Sequence, residues 1–351
     1  MDTEKIVSFV ESSFLKGLVE NSKVTDISYN GDDIYYVDND KGRVKYHMAV
    51  EHQVVKDFIR QIANLSEKQF SYQNPKLDVS FGRYRFNALH QSICRKRNKE
   101  TVSFAMRLAS ETLRFNEKNT LDRNVQELLQ VLVNSNVSIV IGGQTGAGKT
   151  ELQKYLISQM KENTRIIVVD NILELDLLKP KQSLDLNIWQ VDENREATSI
   201  ENLVRNALRS NPDWLIVAES RGKEMLDVLN SSLTGHPIIT TLHAFDIHSM
   251  PTRMIRMVMM NEQKMNYRDV QADIAYHLRF YIYLKRKYTN KGLVQRYISS
   301  IAYFNGTKME SLYGSDGTNK EFGLLSKQAI ELLDLSNVSE QFRTTFLGGN
   351  K

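Results

Sequence analysis

The segment GGQTGAGKT (142–150) puts Gly143, Gly148, Lys149 and Thr150 in the spacing G-x-x-x-x-G-K-T, behind an apolar run and ahead of a helical pattern. Glycines let backbone N–H groups curl around a phosphate with no Cβ in the way. The helix start aims partial positive charge at the same point. Lys149 is then placed to neutralise β- and γ-phosphates, and the Thr150 hydroxyl to hold Mg²⁺. Gln144, Thr145, Gly146 and Ala147 complete the loop. The chemistry implied is nucleoside triphosphate binding. A glycine turn with a solvated lysine is the weaker reading, because strand, loop and helix follow in the required order.

Hydrolysis needs more than a phosphate loop: an acid must orient and polarise water. In a parallel sheet that acid belongs at the C-terminal end of a neighbouring strand. RIIVVDNILELD (165–176) ends its apolar run at Asp170, with Glu174 one helical turn further on. Capping and a solvated helix face explain these two equally well when they are taken alone. DWLIVAES (213–220) ends at Glu219, delivered to the edge by four apolar residues, Leu215 to Ala218. A glutamate there suits a general base or a ligand of metal-bound water better than a direct Mg²⁺ clamp. TGHPIITTLHAFD (234–246) has a histidine at each end of a strand-like run. His243 falls on the same C-terminal edge, where it would report the state of a γ-phosphate. His236 falls at the opposite end, and function and a satisfied structural histidine are balanced for it.

The elements that would position these residues follow from periodicity. Residues 3–20 read as one amphipathic helix, 24–48 as short antiparallel strands turning at Asn30-Gly31 and Lys41-Gly42, and 51–66 as a helix. Residues 77–90 and 101–108 return to strand patterning, which makes 1–110 a small α+β domain. A polar linker (111–122) leads into an amphipathic helix and a second, larger domain (123–351). There VSIVIGG, RIIVVD, DWLIVAE and IITTLHA alternate with helices at 149–161, 198–208 and 223–232. Apolar strands alternating with helices predict an α/β fold whose parallel sheet is covered on both faces. Residues 247–265 and 325–334 read as helical, and 280–306 as antiparallel strands.

Composition excludes several classes. With 351 residues, 41% hydrophobic and 25% charged, the chain is neither disordered nor fibrous. A net charge of +4 permits an anionic partner and argues for none. The one cysteine, Cys94, rules out an intrachain disulfide and a cysteine-based zinc site, and suits a reducing compartment. The first twenty residues do not read as a signal peptide, and no apolar run approaches the roughly 18 residues a membrane span needs.

The stretch LRSNPDWLIVAESRGKEMLDVLNSSLTGH…TTLHA (208–244) resembles the secretion ATPases of type II and type IV systems. The family's Walker A loop, Asp box, atypical Walker B and His box would be residues 143–150, 169–175, 213–221 and 234–244. The segments 24–37, 77–88 and 101–107 resemble its N-terminal domain, so the resemblance covers nearly the whole chain. The short form without a tetracysteine insert is the traffic ATPase of type IV secretion and conjugation. Pilus-assembly or retraction and archaeal relatives remain open. The resemblance implies a RecA-like P-loop core with a smaller N-terminal α+β domain. It implies ATP and Mg²⁺ as substrate and cofactor, a homo-hexamer, and a coupling protein and inner-membrane channel components as partners. The location implied is cytoplasmic, peripheral to the cytoplasmic face of the membrane without insertion in it. Among catalytic residues it implies Lys149, Glu219, Asp170, Glu174 and His243, with Thr150 and Glu219 at the metal. Arg107 matches the arginine before the linker, ahead of Arg83, Arg85 and Arg95, and Arg221 matches a coupling arginine.

Three departures stand out. Asp170-Asn171 replaces the usual Glu-Asp, Ala218 stands where glycine usually precedes the glutamate, and the His box is one residue short. These motivate a second reading, a nucleotide-dependent assembly switch that hydrolyses little. A third, a DNA translocase, finds no interleaved basic and aromatic platform, so nucleic acid is not expected as the primary partner.

Overall fold

A computed structural model describes residues 2–109, 121–170, 175, 183–192, 195–261 and 265–349. The chain divides into two compact units, Met1–Glu111 with Tyr288–Val294, and Thr112–Lys287 with Gln295–Lys351.

The first unit opens with α1 (Thr3–Glu11), whose Asp2 side chain caps Lys5 N, and one turn, α2 (Lys16–Val19). The single helix expected over 3–20 is broken because the Ser12 and Ser13 hydroxyls bond back to Ser8 O and Val10 O, diverting the backbone at 12–15. Strands β1 (Val24–Tyr29), β2 (Ile34–Asp38) and β3 (Gly42–Lys45) precede helix α3 (His52–Leu65). Then come β4 (Lys76–Phe81), β5 (Tyr84–Leu89), a two-strand ribbon of β6 (Arg95–Lys96) and β7 (Lys99–Glu100), and β8 (Ser103–Leu108). The larger sheet is antiparallel in the order β3-β2-β1-β8-β5-β4. Its core joins Ile27, Phe86 and Met106 from strands to Ile6, Val10, Val55 and Ile59 from helices. The turn at Asn30-Gly31 falls where glycine was needed, with Gly31 at φ +100°.

The second unit starts with α4 (Arg123–Asn134) and β9 (Ile139–Gly143), then α5 (Lys149–Ser158), β10 (Arg165–Asp170) and β11 (Asp185–Gln190). Next are α6 (Ile200–Ala207), β12 (Trp214–Val217), α7 (Met225–Leu233), β13 (Ile238–Leu242), α8 (Ser249–Val258) and α9 (Tyr267–His277). The chain ends in β14 (Phe280–Tyr288), β15 (Val294–Phe304), β16 (Met309–Ser315), β17 (Lys320–Phe322), α10 (Lys327–Ile330) and α11 (Glu340–Leu347). One nine-stranded sheet runs β11-β10-β12-β13-β9-β14-β15-β16-β17. Its first six strands are parallel.

The strands are apolar on both faces because both faces are covered. Ile139, Ile141, Ile166 and Val168 pack with α4 and α5. Val140, Ile167 and Val169 point the other way, towards α7, α8 and α9. Each fully buried valine or isoleucine contributes about 1.5–3 kcal/mol. Two of the differences from expectation concern this sheet. Residues 280–288 were expected only in an antiparallel set, yet β14 runs parallel to β9 along its other edge, with Leu284 opposite Gly143. Strand β11 was not anticipated: DLNIWQ is an edge strand, exposed or half-buried throughout, so it lacks the apolar run of its neighbours.

Candidate active site

Parallel strands send every C-terminal end to one edge, and the chain's chemistry collects there. β9 delivers the loop 142–150 and α5 leaves it. A Cβ on Gly143 would come within 2.8 Å of Leu284 O, so no larger residue fits that turn. Gly148 takes φ +99° as the residue before α5. Asp, Ser or Asn side chains cap α1, α4, α6, α9 and α11, but none caps α5. Leu152 N bonds Gly148 O at the start of the helix, and a helix N-terminus of this kind suits an anion.

Four side chains then form a line. Lys149 Nζ donates to Gly143 O at 3.1 Å and Gln144 O at 3.4 Å, and lies 3.4 Å from His243 Nδ1. His243 Nε2 is 3.0 Å from Glu219 Oε1. Arg221 Nη2 is 2.6 Å from Glu219 Oε2. Lysine has no acceptor, so Lys149 donates to Nδ1 in the tautomer that carries its proton on Nε2, and the buried Glu219 Oε1 makes no hydrogen bond among the described residues. Burial and the Lys149 charge hold the His243 pKa below the ordinary value, against the pull of Glu219. Burial pushes Glu219 up, but the Arg221 hydrogen bond and the charges of Arg221, His243 and Lys149 outweigh it, so its carboxyl stays below the usual range. At neutral pH the line is lysinium, neutral imidazole, carboxylate and guanidinium.

The backbone under Glu219 is fixed on both sides. Ala218 N bonds Val169 O at 3.0 Å, Ser220 N bonds Thr241 O at 2.8 Å, and the buried Thr241 hydroxyl donates to Ala218 O at 2.7 Å. Beyond His243, the Tyr283 hydroxyl donates to Ala244 O and Phe245 O, which holds a loop whose Phe245 ring is 83% exposed. Gln144, Thr145, His243 and Phe245 line a cleft with Arg253 and Arg256 of α8. Sequence reading missed both arginines, which look like ordinary solvated helix charges.

A profile of the type II/IV secretion system protein family matches residues 85–280, more than half of the chain. The chain belongs to this family. Among relatives of this secretion protein, an uncharacterized protein of Bacillus anthracis is 25% identical over 350 residues, spanning 93% of this chain and 77% of that one. The type IV secretion system protein VirB11 of Brucella suis is 29% identical over 178 residues, 48% of each chain, so this chain spans about half the length of that relative. The ATPase DotB of Legionella pneumophila superposes with TM-score 0.62 at 20% identity, over 87% of this chain and 82% of that one. That likeness is one of fold, and it makes the second unit the RecA-like core expected from the sequence.

In this secretion-family chain the structure brings Gly143–Thr150, Glu219, Arg221 and His243 to one edge. Asp170 ends β10 on the same edge, one strand from Glu219, and is buried. Glu174 lies outside the described residues. Arg107 is on β8 in the other unit, where its Nε is 3.4 Å from Asp26. Of the weaker candidates, Arg83 bonds Val19 O and Tyr84, Arg85 pairs with Asp78, and Arg95 with Glu100. His236 sits at the other end of β13, its Nδ1 2.9 Å from the Thr234 hydroxyl.

Proposed function

We propose that this chain hydrolyses ATP with Mg²⁺ as a ring of six copies. The ring would power substrate transfer or assembly in a type IV secretion or conjugation system, at the cytoplasmic face of the membrane. The observation that carries this reading is the Lys149–His243–Glu219–Arg221 line beside the uncapped start of α5. Membership of the secretion family supports the setting, with a coupling protein and inner-membrane channel components as partners. Among the described residues, no helix is long and apolar enough to cross a membrane. That suits attachment through those partners.

In this reading Lys149 exchanges the carbonyls of Gly143 and Gln144 for phosphate oxygens. Glu219, ionised at neutral pH, orients and polarises the attacking water. His243, placed between Lys149 and Glu219, links phosphate state to the loop at 244–246. The loop fits the triphosphate, since its cradle admits no Cβ at Gly143. The Thr150 hydroxyl, on the first turn of α5, is the group to hold Mg²⁺, which neutralises charge on the β- and γ-phosphates when bound. Glu219 already faces Arg221 and His243, which suits a contact through metal-bound water. Arg107 remains the candidate for an arginine reaching the γ-phosphate of an adjacent copy, in exchange for Asp26. Asp170 and Glu174 would supply the acids of the Asp box.

The test is steady-state ATP hydrolysis against protein concentration, with Lys149→Ala as the blank. Specific activity should climb steeply with concentration, and Glu219→Gln should fall close to the blank. Full activity in both variants would sink the proposal. The departures at Asp170-Asn171 and in the His box favour one alternative, a switch that binds ATP and turns over negligibly. Fast, assembly-dependent turnover would dismiss it.

A further inference from the structure

Two arginines outside the phosphate-loop motif lie against its tip. Arg296, on β15, donates from Nε to Gly146 O at 2.8 Å, and its Cδ would stand 3.7 Å from a Cβ at Gly148. Arg286, on β14, has its Nη1 3.1 Å from where a Cβ on Gly146 would stand. It is exposed, and it makes no hydrogen bond or ion pair among the described residues. Both get there because β14 runs parallel to β9. With Leu284 level with Gly143, Arg286 lies two residues on, beyond the strand β9 and beside the loop. Leu284 belongs to the same core cluster as Leu152 and Leu156 of α5, so Arg286 is on the α5 side, at the N-terminal end of that helix.

A helix N-terminus attracts anions and repels cations. Lys149, Arg286 and Arg296 lie around the start of α5, whose first turn also carries Glu151, paired with Lys154. The carboxylate of Glu219 is paired with Arg221. Guanidinium stays charged at every accessible pH. Such a cluster is stabilised when an anion of several charges arrives. Arg296 has a further effect. It holds the Gly146 carbonyl, while the next amide, Ala147 N–H, closes on Gln144 O at 3.2 Å, so both sides of that peptide are fixed.

We propose that Arg286 and Arg296 form an arginine pair, supplied by the same chain, for the polyphosphate of the nucleotide. Arg286 is a ligand of the phosphates. Arg296 is a positioning residue that fixes the Gly146 carbonyl and so presents the loop. The pair rests on the nucleotide reading of the site and adds to it the residues that grade affinity by phosphate count.

The experiment is binding of fluorescent ATP, ADP and AMP analogues to the full chain with Mg²⁺, at two salt concentrations, together with steady-state hydrolysis. Arg286→Ala should weaken ATP about tenfold, ADP less and AMP hardly at all, with a shallower salt dependence. Arg286→Lys, which keeps the charge, should bind ATP within about threefold of the parent. Arg296→Ala should raise KM for ATP several-fold and leave kcat within about twofold, with an unchanged melting temperature. Should Arg296→Ala not fold, Arg296→Lys carries the same KM-against-kcat comparison. Parental ATP affinity in Arg286→Ala, or equal losses in Arg286→Lys and Arg286→Ala, would overturn the phosphate contact. A fall in kcat at unchanged KM would overturn the role of Arg296. A parent chain that binds no nucleotide, indistinguishable from Lys149→Ala, would instead refute the nucleotide reading itself.

Discussion

His236 and His243 bound the same strand, yet only one of them joins the candidate chemistry. At the C-terminal end of β13, His243 stands between Lys149 and Glu219. At the N-terminal end, His236 meets a threonine hydroxyl in its own turn. The residue type is identical and the flanking sequence similarly apolar. Strand direction makes the difference. All parallel strands deliver their C-terminal ends, and the loops that follow, to one edge, so a histidine's end of the strand decides its company. A pattern search that scores histidines by type would rank the two alike.

The contrast can be broken by mutation. Lys149→Ala should have the largest effect, a loss of about 10³-fold or more in kcat/KM for ATP, measured by steady-state hydrolysis. Glu219→Gln should cost about 10²–10³-fold in kcat while ATP still binds, because the amide cannot take a proton. A weak effect on turnover there would transfer the base role to Asp170 or Glu174. His243→Ala should cost on the order of tenfold, the worth of about 1.4 kcal/mol from one charge-linked hydrogen bond. His236→Ala should leave hydrolysis within about twofold and lower stability by no more than about 1 kcal/mol, read by denaturant unfolding. Equal losses from the two histidine variants would end the argument from strand direction.

Acid sharpens the same comparison. The folded His243 pKa lies below 6.5, so the residue is neutral in both folded and unfolded chains above that pH and contributes no pH dependence there. As pH falls below 6.5 the unfolded chain takes the proton first, and stability drops until the folded pKa is passed. In the native site the new imidazolium would face Lys149 and Arg221. Activity should therefore hold from pH 8 to 6.5 and decline below. His243→Asn should flatten that acid limb, whereas His236→Asn should leave it in place.

Much of this was legible in the sequence because the relevant signals are local. Strand, glycine loop and helix are contiguous, and Leu215 to Ala218 carry Glu219 to the edge within one short run. The turn at Gly31 needed only a left-handed backbone. What was missed depends on distant partners. Arg296 lies 150 residues from the Gly146 carbonyl it bonds, and nothing around it differs from a solvated strand arginine. The parallel pairing of β14 with β9 is a choice of neighbour, which periodicity does not encode. Helix α9 buries only Val270 and Ile274, too few to raise a helical stripe from YRDVQADIAYH. The helix at 3–20 was over-extended because apolar spacing continued through two serines that bend the backbone.

The bonds on either side of Glu219 set a clock. Just past the end of β12, Ala218 is tied to Val169 and Ser220 to Thr241, so the main chain on both sides of 219 is held to neighbouring strands. Glu219 has no hinge of its own, and its carboxylate moves only by turning about side-chain torsions. Such rotations take on the order of nanoseconds or less, whereas loop closures take microseconds to milliseconds. In the proposed hydrolysis, leaving Arg221 for the attacking water is a fast local swing, and slower steps fall to other parts of the molecule.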